Sequence, residues 1–420
     1  MNIFAVSAVI LTLSAFGSYF NRKWLKLPNS ISLLIFSMLL SLAGLILKQL
    51  NFYSFDIIQI FLSKLDFKEI IFHGMLSFLL FAGSMQINFE DLKKSKIAIV
   101  VTAIISTLIS TFFIGIAFYY TANYLKINIT WLEAMLFGSI LSPTDPIAVL
   151  SVIKKMKIPK IIETTIIGES LFNDCIAIVI FLMILELSTP GKQIDSLSII
   201  LFILQEIGGG FLFGGFVGML ACKMLSSIND FDTHLLITLS VATGGYAIAE
   251  KLGFSAPLAM VIAGLILGNR KKTLHGASQQ IRQYLDLFWE AIDNVLNTSL
   301  FILIGMEMLV ITTTIHLTLL SFACIPIALI SRYVSIAFPL NIIKPFHIEP
   351  KGTSFILTWG GLRGALSIAM VLSLPSELLR VTFLPCIYYV VIFSIIIQGL
   401  TFNRILRTHL KSLKNNKLFK

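Results

Sequence analysis

Apolar residues run along the chain in long blocks, separated by short segments that carry Lys, Arg, Gly or Pro. A bilayer core takes roughly 20 apolar residues per helix. Blocks of that order predict thirteen crossings: 3–20, 30–49, 69–87, 97–122, 131–153, 160–187, 197–226, 233–250, 254–269, 285–310, 313–339, 353–375 and 380–403. Segment 52–64 is apolar but too short to cross, and is expected to lie at the membrane interface. The spans 233–250 and 254–269 require a very tight turn at Glu250 and Lys251. The pattern predicts an all-α membrane protein. One transmembrane domain covers 1–410, and a short basic tail follows at 411–420, with no soluble regulatory domain.

Composition narrows the class. Hydrophobic residues make up 56% of the 420 positions and charged residues only 13%, where soluble domains carry about 25% charged. Mean hydropathy is +0.90. A soluble enzyme, a nucleic-acid-binding domain and a disordered chain are excluded. The net charge of +10 is then a matter of topology, because cytoplasmic loops collect Lys and Arg. With the N-terminus outside, the inside loops and tail hold 24 basic residues and the outside loops 7, with Arg363 left in mid-span. That bias predicts an N-outside, C-cytoplasmic chain with an odd number of crossings. The first span has no basic residue before it, and Arg22 and Lys23 follow it. It is therefore expected to be an uncleaved helix rather than a signal peptide. Cys175, Cys222, Cys324 and Cys386 show no paired spacing, so neither a disulfide framework nor a metal site is implied.

A charge at bilayer depth costs about 2.5–3.5 kcal/mol on insertion scales, so intramembrane polar residues are functional candidates by default. Three segments concentrate them. In 131–153, Pro143 and Pro146 bracket Thr144 and Asp145. Two prolines remove two backbone donors and free two carbonyls in the preceding turn. Such a break is tolerated only where it lines a cavity or is buried in protein. Freed carbonyls beside a carboxylate suit a hard monovalent cation. In 160–187, Glu169, Ser170, Asn173 and Asp174 fall within six residues. Glu169 with Asn173, and Ser170 with Asp174, are i,i+4 pairs on a helix. Two acids so close must be protonated, paired with a cation or bridged by a base. In 353–375, Arg363 lies among Gly360, Gly361 and Gly364. A lone Arg at that depth needs an anion, and Glu169, Asp174 and Asp145 are the intramembrane acids at hand.

Other positions read more plainly. Gly210, Gly214 and Gly218 form a small-residue face suited to helix packing. Glu290 and Asp293 either line an access funnel or cap a solvated helix end. Glu307 is expected to snorkel at the outer end of its span. If 197–226 is a linker helix, the units of about 1–190 and 230–405 are inverted six-helix repeats, and each carries its broken helix fifth. The two breaks then cross near mid-membrane, placing Asp145 and Asp174 close to Arg363.

The segments LSPTDPIAVLSVIKKMKIPKIIETTIIGESLFNDCIAIVIF, GFSAPLAMVIAGLILGN, FWEAIDNVLNTSLFILIGM and GGLRGALSIAMVLSLP resemble helices of the monovalent cation/proton antiporters, in the branch of electroneutral sodium/proton exchangers. The joint occurrence of TDP, GESLFND and GGLRGA is specific to that family. The resemblance implies a homodimer in which a six-helix core moves against a dimer domain. It implies that Asp174 binds proton or cation and that Asp145, Ser170 and the main chain of Thr144 help ligate the ion. It also pairs Glu169 with Arg363 and gives Asn173 the orienting of the site. Asn173, rather than a second acid before Asp174, matches the electroneutral members. Phe81, in LLFAGSM, stands where members often carry an acid.

The function that follows is exchange of sodium, or of lithium as an alternative cargo, for protons across a bacterial or archaeal cytoplasmic membrane, with no enzymatic step and no cofactor. Proton and cation compete for the Asp174 carboxylate, and only a neutralised site crosses. A potassium/proton antiporter using the same site is the alternative. A passive channel would need a filter sequence, and an intramembrane protease would need a zinc HExxH, a Ser/His pair or a Gly-Asp aspartyl pair; the sequence has none of these.

Overall fold

The protein is described here by a computed structural model, which defines residues 3–49, 69–146, 149–150, 153, 160–188, 196–270, 279–309, 311, 313–343, 353–375 and 377–415. The interfacial segment 52–64, most of 147–159, and 416–420 lie outside these residues.

Helices account for nearly all of the structure. Among the described residues, seven are long and apolar enough to cross a membrane: Asn29–Leu47, Lys96–Tyr124, Glu163–Leu187, Leu197–Ser227, Gln279–Leu309, Ile315–Asn341 and Leu378–Thr408. Glu69–Met85, Trp131–Leu141 and Ala256–Asn269 are shorter apolar helices. The expected 353–375 span is two short helices, Thr353–Gly360 and Ala365–Leu372, separated by a break. Among the described residues the β structure is a single antiparallel bridge between Asp145 and Leu362.

The helix at 96–124 illustrates how the sequence sorts its faces. Thr102, Ser106, Thr107, Ser110, Thr111 and Gly115 recur at helical spacing and point inward, while Val100, Ile104, Leu108, Phe112 and Ile116 on the other side are exposed, as lipid-facing residues must be. Inward hydroxyls would be costly unpaired. Thr102 bonds the carbonyl of Ala98 one turn back, the usual solution for hydroxyls inside helices. Small inward residues also permit close packing. A Cβ on Gly138 would strike the Thr111 backbone, so helix Trp131–Leu141 lies directly against 96–124. That helix starts at a capping box formed by Thr130 and Glu133, and Trp131 stacks on Tyr119 at 4.3 Å between ring centroids.

Two packed groups result. Helices 96–124, 131–141, 160–187, 315–343, 353–372 and 377–398 form one, and 29–49, 69–85, 196–227, 231–251, 256–270 and 279–306 the other. In the second group Gly210, Gly214 and Gly218 meet Ser255, Ala259 and Ala263, the packing expected of a small-residue face. The tight turn falls at 252–255 rather than at Glu250 and Lys251. Gly253 takes a left-handed φ of +68°, and Phe254 N donates to Ala249 O at 3.0 Å, a glycine-terminated helix end.

Two expectations need correction. Arg332, read as loop charge, is 3% exposed inside the 315–343 helix. Glu307 does not snorkel: it is 2% exposed, in a short 3-10 turn at 307–309. Phe81 is fully buried against the Trp289 ring at 4.8 Å, part of an aromatic core.

Candidate ion-binding site

The site is made where the two broken helices meet. The helix begun at Trp131 ends at Leu141. Prolines at 143 and 146 deny it continuation, and Asp145, preceding a proline, is extended. The second break spans Gly361–Gly364. Asp145 N donates to Leu362 O at 2.7 Å, stitching the breaks together. The glycines of the second break answer to side chains from elsewhere. A Cβ on Gly364 would lie 2.9 Å from the Asp145 carboxyl carbon, and one on Gly361 would lie 2.9 Å from the Arg332 guanidinium carbon. The crossing of the breaks is thus observed, as the sequence predicts.

The ion pair is not the expected one. Arg332 holds Glu169 with both arms: Nη1 donates to Oε1 at 2.9 Å and Nη2 to Oε2 at 2.6 Å. Both side chains are almost wholly buried. The fork geometry matches two guanidinium hydrogens to two carboxylate oxygens. Arg363 instead turns to backbone. Its Nη1 donates to Ser142 O, and to Pro143 O at 3.0 Å, and its own N donates to Ser394 Oγ at 2.9 Å. These are the carbonyls that the end of the 131–141 helix leaves without partners. A cation there also meets the negative end of the helix dipole. Arg363 is therefore the cap of a broken helix, and Arg332 is the counter-ion of Glu169.

Asn173 joins this pair to the break. Its Nδ2 donates to Glu169 Oε1 at 3.1 Å and to Thr144 Oγ1 at 3.2 Å, and its Oδ1 accepts from Thr107 Oγ1 at 2.6 Å. The Thr144 and Ser170 hydroxyls are 3.2 Å apart. One network therefore runs Arg332–Glu169–Asn173–Thr144–Ser170.

On the other side of the crossing a cavity of about 240 Å³ reaches Pro143, Thr144, Asp145, Pro146 and Asp174. Ser170, Asn173, Glu169 and Arg363 do not line it; they form its backing. The cavity continues past Asp293 and Asn297 to Gln86 and Glu163. Asn297 Nδ2 donates to Asp293 Oδ1 at 3.0 Å. Of the two candidate funnel acids, Asp293 lines the cavity, and Glu290 is exposed away from it. Arg332, Thr107 and Ser394 were missed by the sequence reading. For Arg332 a signal was present, since it falls inside the 313–339 block and an intramembrane Arg demands a partner.

Broken helices crossing inside a bundle, with buried charge behind them and a cavity leading to carboxylates in front, define a membrane secondary transporter. The chain belongs to the sodium/hydrogen exchanger family, whose transmembrane model matches residues 9–408. It is 36% identical over 405 residues to the Na(+)/H(+) antiporter NhaP of Pseudomonas aeruginosa, covering 95% of each chain. It is 30% identical over 412 residues to the Na(+)/H(+) antiporter ApNhaP of Aphanothece halophytica, covering 96% of this chain and 73% of that one. The fold is that of the sodium proton antiporter MjNhaP1 from Methanocaldococcus jannaschii, with a TM-score of 0.75 at 19% identity and 98% of both chains covered.

Proposed function

We propose that this chain exchanges sodium for protons across a cytoplasmic membrane, with Asp174 as the carboxylate for which the two ions compete. The observation that carries the reading is the cavity that reaches Asp145 and Asp174 beside the crossing. Asp145 and the Thr144 main chain bring oxygens to the cavity for a monovalent cation, with the Ser170 hydroxyl as a further ligand directly behind Thr144, and Pro143 and Pro146 keep the site open by breaking the helix. The relatives named above are sodium/proton antiporters, and nothing in them favours the potassium alternative. Thirteen crossings in two inverted units, a homodimer, and an N-outside, C-cytoplasmic orientation belong to the same reading.

Coupling needs no second proton carrier. The Glu169 charge is locked against Arg332 by two short hydrogen bonds, and Asn173 has no charge to change. Asp174 alone then gains or loses a proton, so a cation-loaded site and a protonated site carry equal charge. Exchange is one for one and moves no net charge. Basic residues collect inside. The segment that begins after Gln86 and Ile87 carries Lys93, Lys94 and Lys96, so the cavity faces the cytoplasm.

The test is dye-monitored proton movement in proteoliposomes on addition of sodium, lithium or potassium. Sodium is expected to drive it. Movement with potassium and none with sodium would overturn the reading. Once potassium is excluded as cargo, a potassium-valinomycin potential is imposed. The exchange rate should ignore that voltage, and a rate that follows it would end the one-for-one scheme.

A further inference from the structure

Glu307 is a deeply buried acid at the end of a membrane span that neither the crossing nor the cavity uses. It is 2% exposed, and its Oε1 has no hydrogen-bond partner. The side chains that bond the turn beside it are neutral. Ser41 Oγ donates to Gly305 O at 2.9 Å from the 29–49 helix. Tyr388 Oη reaches the same carbonyl at 3.5 Å from the 377–392 helix. A buried carboxylate with neutral neighbours is costly unless a proton or a cation accompanies it. Those are the two ions that the proposed function moves.

Position adds a second, independent argument. Asp293, Leu300 and Glu307 are seven residues apart in turn, so they lie along one face of the Gln279–Met306 helix and its 3-10 extension. Asp293, Asn297 and Leu300 line the cavity. Glu307 lies about 10 Å further along the same line, at 1.5 Å per residue, beyond where the cavity ends. The face is shared between the two helix groups, because Tyr388 comes from the group that carries the breaks and Ser41 from the other. The seam between the groups is open at the level of Asp293 and closed at the level of Glu307.

We propose that Glu307 is the ion-handling carboxylate of the outward-facing half of the transport route: when the groups shift and the seam opens on that side, it binds the sodium ion or proton entering from or leaving to the outside. This rests on the exchange reading above. Asp293 stands at the corresponding place on the inner side, and Leu300 with Ile304 separates the two.

The test compares right-side-out and everted membrane vesicles containing wild-type protein, Glu307→Gln or Glu307→Asp, with sodium as the probe. Glu307→Gln should raise the sodium concentration for half-maximal exchange roughly tenfold at the outer face, the worth of one charge-assisted contact, and leave the inner face within about twofold. Glu307→Asp, which keeps the carboxylate, should restore most of the outer affinity. Equal values at both faces for Glu307→Gln and wild type would overturn the proposal, and so would a loss shared by both faces or one that Asp does not repair. Wild-type vesicles in which sodium moves no protons would overturn the exchange reading itself, and Glu307's role with it.

Discussion

Glu169 and Asp174 stand five residues apart on one helix, about 140° around its axis at 3.6 residues per turn, and they meet opposite surroundings. The Glu169 side is closed and hydrogen-bonded. Two guanidinium hydrogens and the Asn173 amide occupy its carboxylate. On the Asp174 side a cavity arrives, bringing Asp145 from the first break. One acid is fixed in charge and the other is left accessible to an ion. An exchanger needs both, since an unlocked Glu169 would add a further titrating charge and a locked Asp174 would carry nothing. The lesson is that the two arginines divide the labour: Arg332 fixes a side chain, and Arg363 fixes the backbone that presents Asp145.

The largest expected effect comes from the accessible side. Asp174→Asn should reduce sodium-driven proton movement to the vesicle background while yield and melting temperature stay near wild type. Normal exchange in that variant would remove Asp174 from the mechanism. Asp145→Asn should also lower exchange severely, and unchanged apparent sodium affinity would reassign Asp145 to a structural part.

On the closed side the readout is stability. Removing one partner of a buried pair costs about 3–5 kcal/mol, because the other charge is left uncompensated. Glu169→Ala and Arg332→Ala should each lower the melting temperature sharply, and the double variant should recover part of the loss. Glu169→Ala combined with Arg363→Ala should show no such recovery. A thermal-shift series in which Arg363, not Arg332, rescues Glu169 would break the division of labour described above.

A smaller effect probes the join between the sides. In Gly364→Ala the new methyl group meets the Asp145 carboxylate, and overpacking of this kind costs typically about 1–3 kcal/mol. Apparent sodium affinity should weaken by roughly tenfold, the lower part of that range. Wild-type affinity would show that the crossing can relax.

The smallest effect concerns an acid outside the membrane, which sharpens the contrast by having ordinary solvation. Asp230 caps the helix at Phe231, accepting from Thr233 N at 2.8 Å and Thr233 Oγ1 at 2.6 Å. Those bonds favour the carboxylate and hold its pKa below the usual value. A carboxyl lowered in the folded state contributes stability that is complete above its unfolded pKa, near about 3.9, and that fades as pH falls through the folded value. Asp230→Ala should therefore cost slightly at neutral pH and nothing in strong acid. A melting-temperature difference that stays constant down to strong acid would deny Asp230 that role.

Much of this was legible in the chain. Long apolar blocks can only be membrane helices, and TDP and GGLRG can only be breaks in them, because proline lacks the donor and glycine the side chain that a continuous helix uses. The cost of charge in a membrane singled out Asp145, Glu169, Asp174 and Arg363. Periodicity also put Asn173 one turn from Glu169, where the structure has it. What the sequence could not supply was the choice among partners separated by more than a hundred residues. Arg332 and Arg363 are chemically alike, and spacing along the chain says nothing about which guanidinium reaches Glu169. Nor could it say that Glu307 turns inward, since a terminal acid on an apolar helix snorkels or is buried according to what packs over it. Those outcomes were decided by packing: Gly361 leaves room for Arg332 beside the crossing, the end of the 131–141 helix offers Arg363 its carbonyls, and Ser41 and Tyr388 bring the 29–49 and 377–392 helices over the end of the helix that carries Glu307.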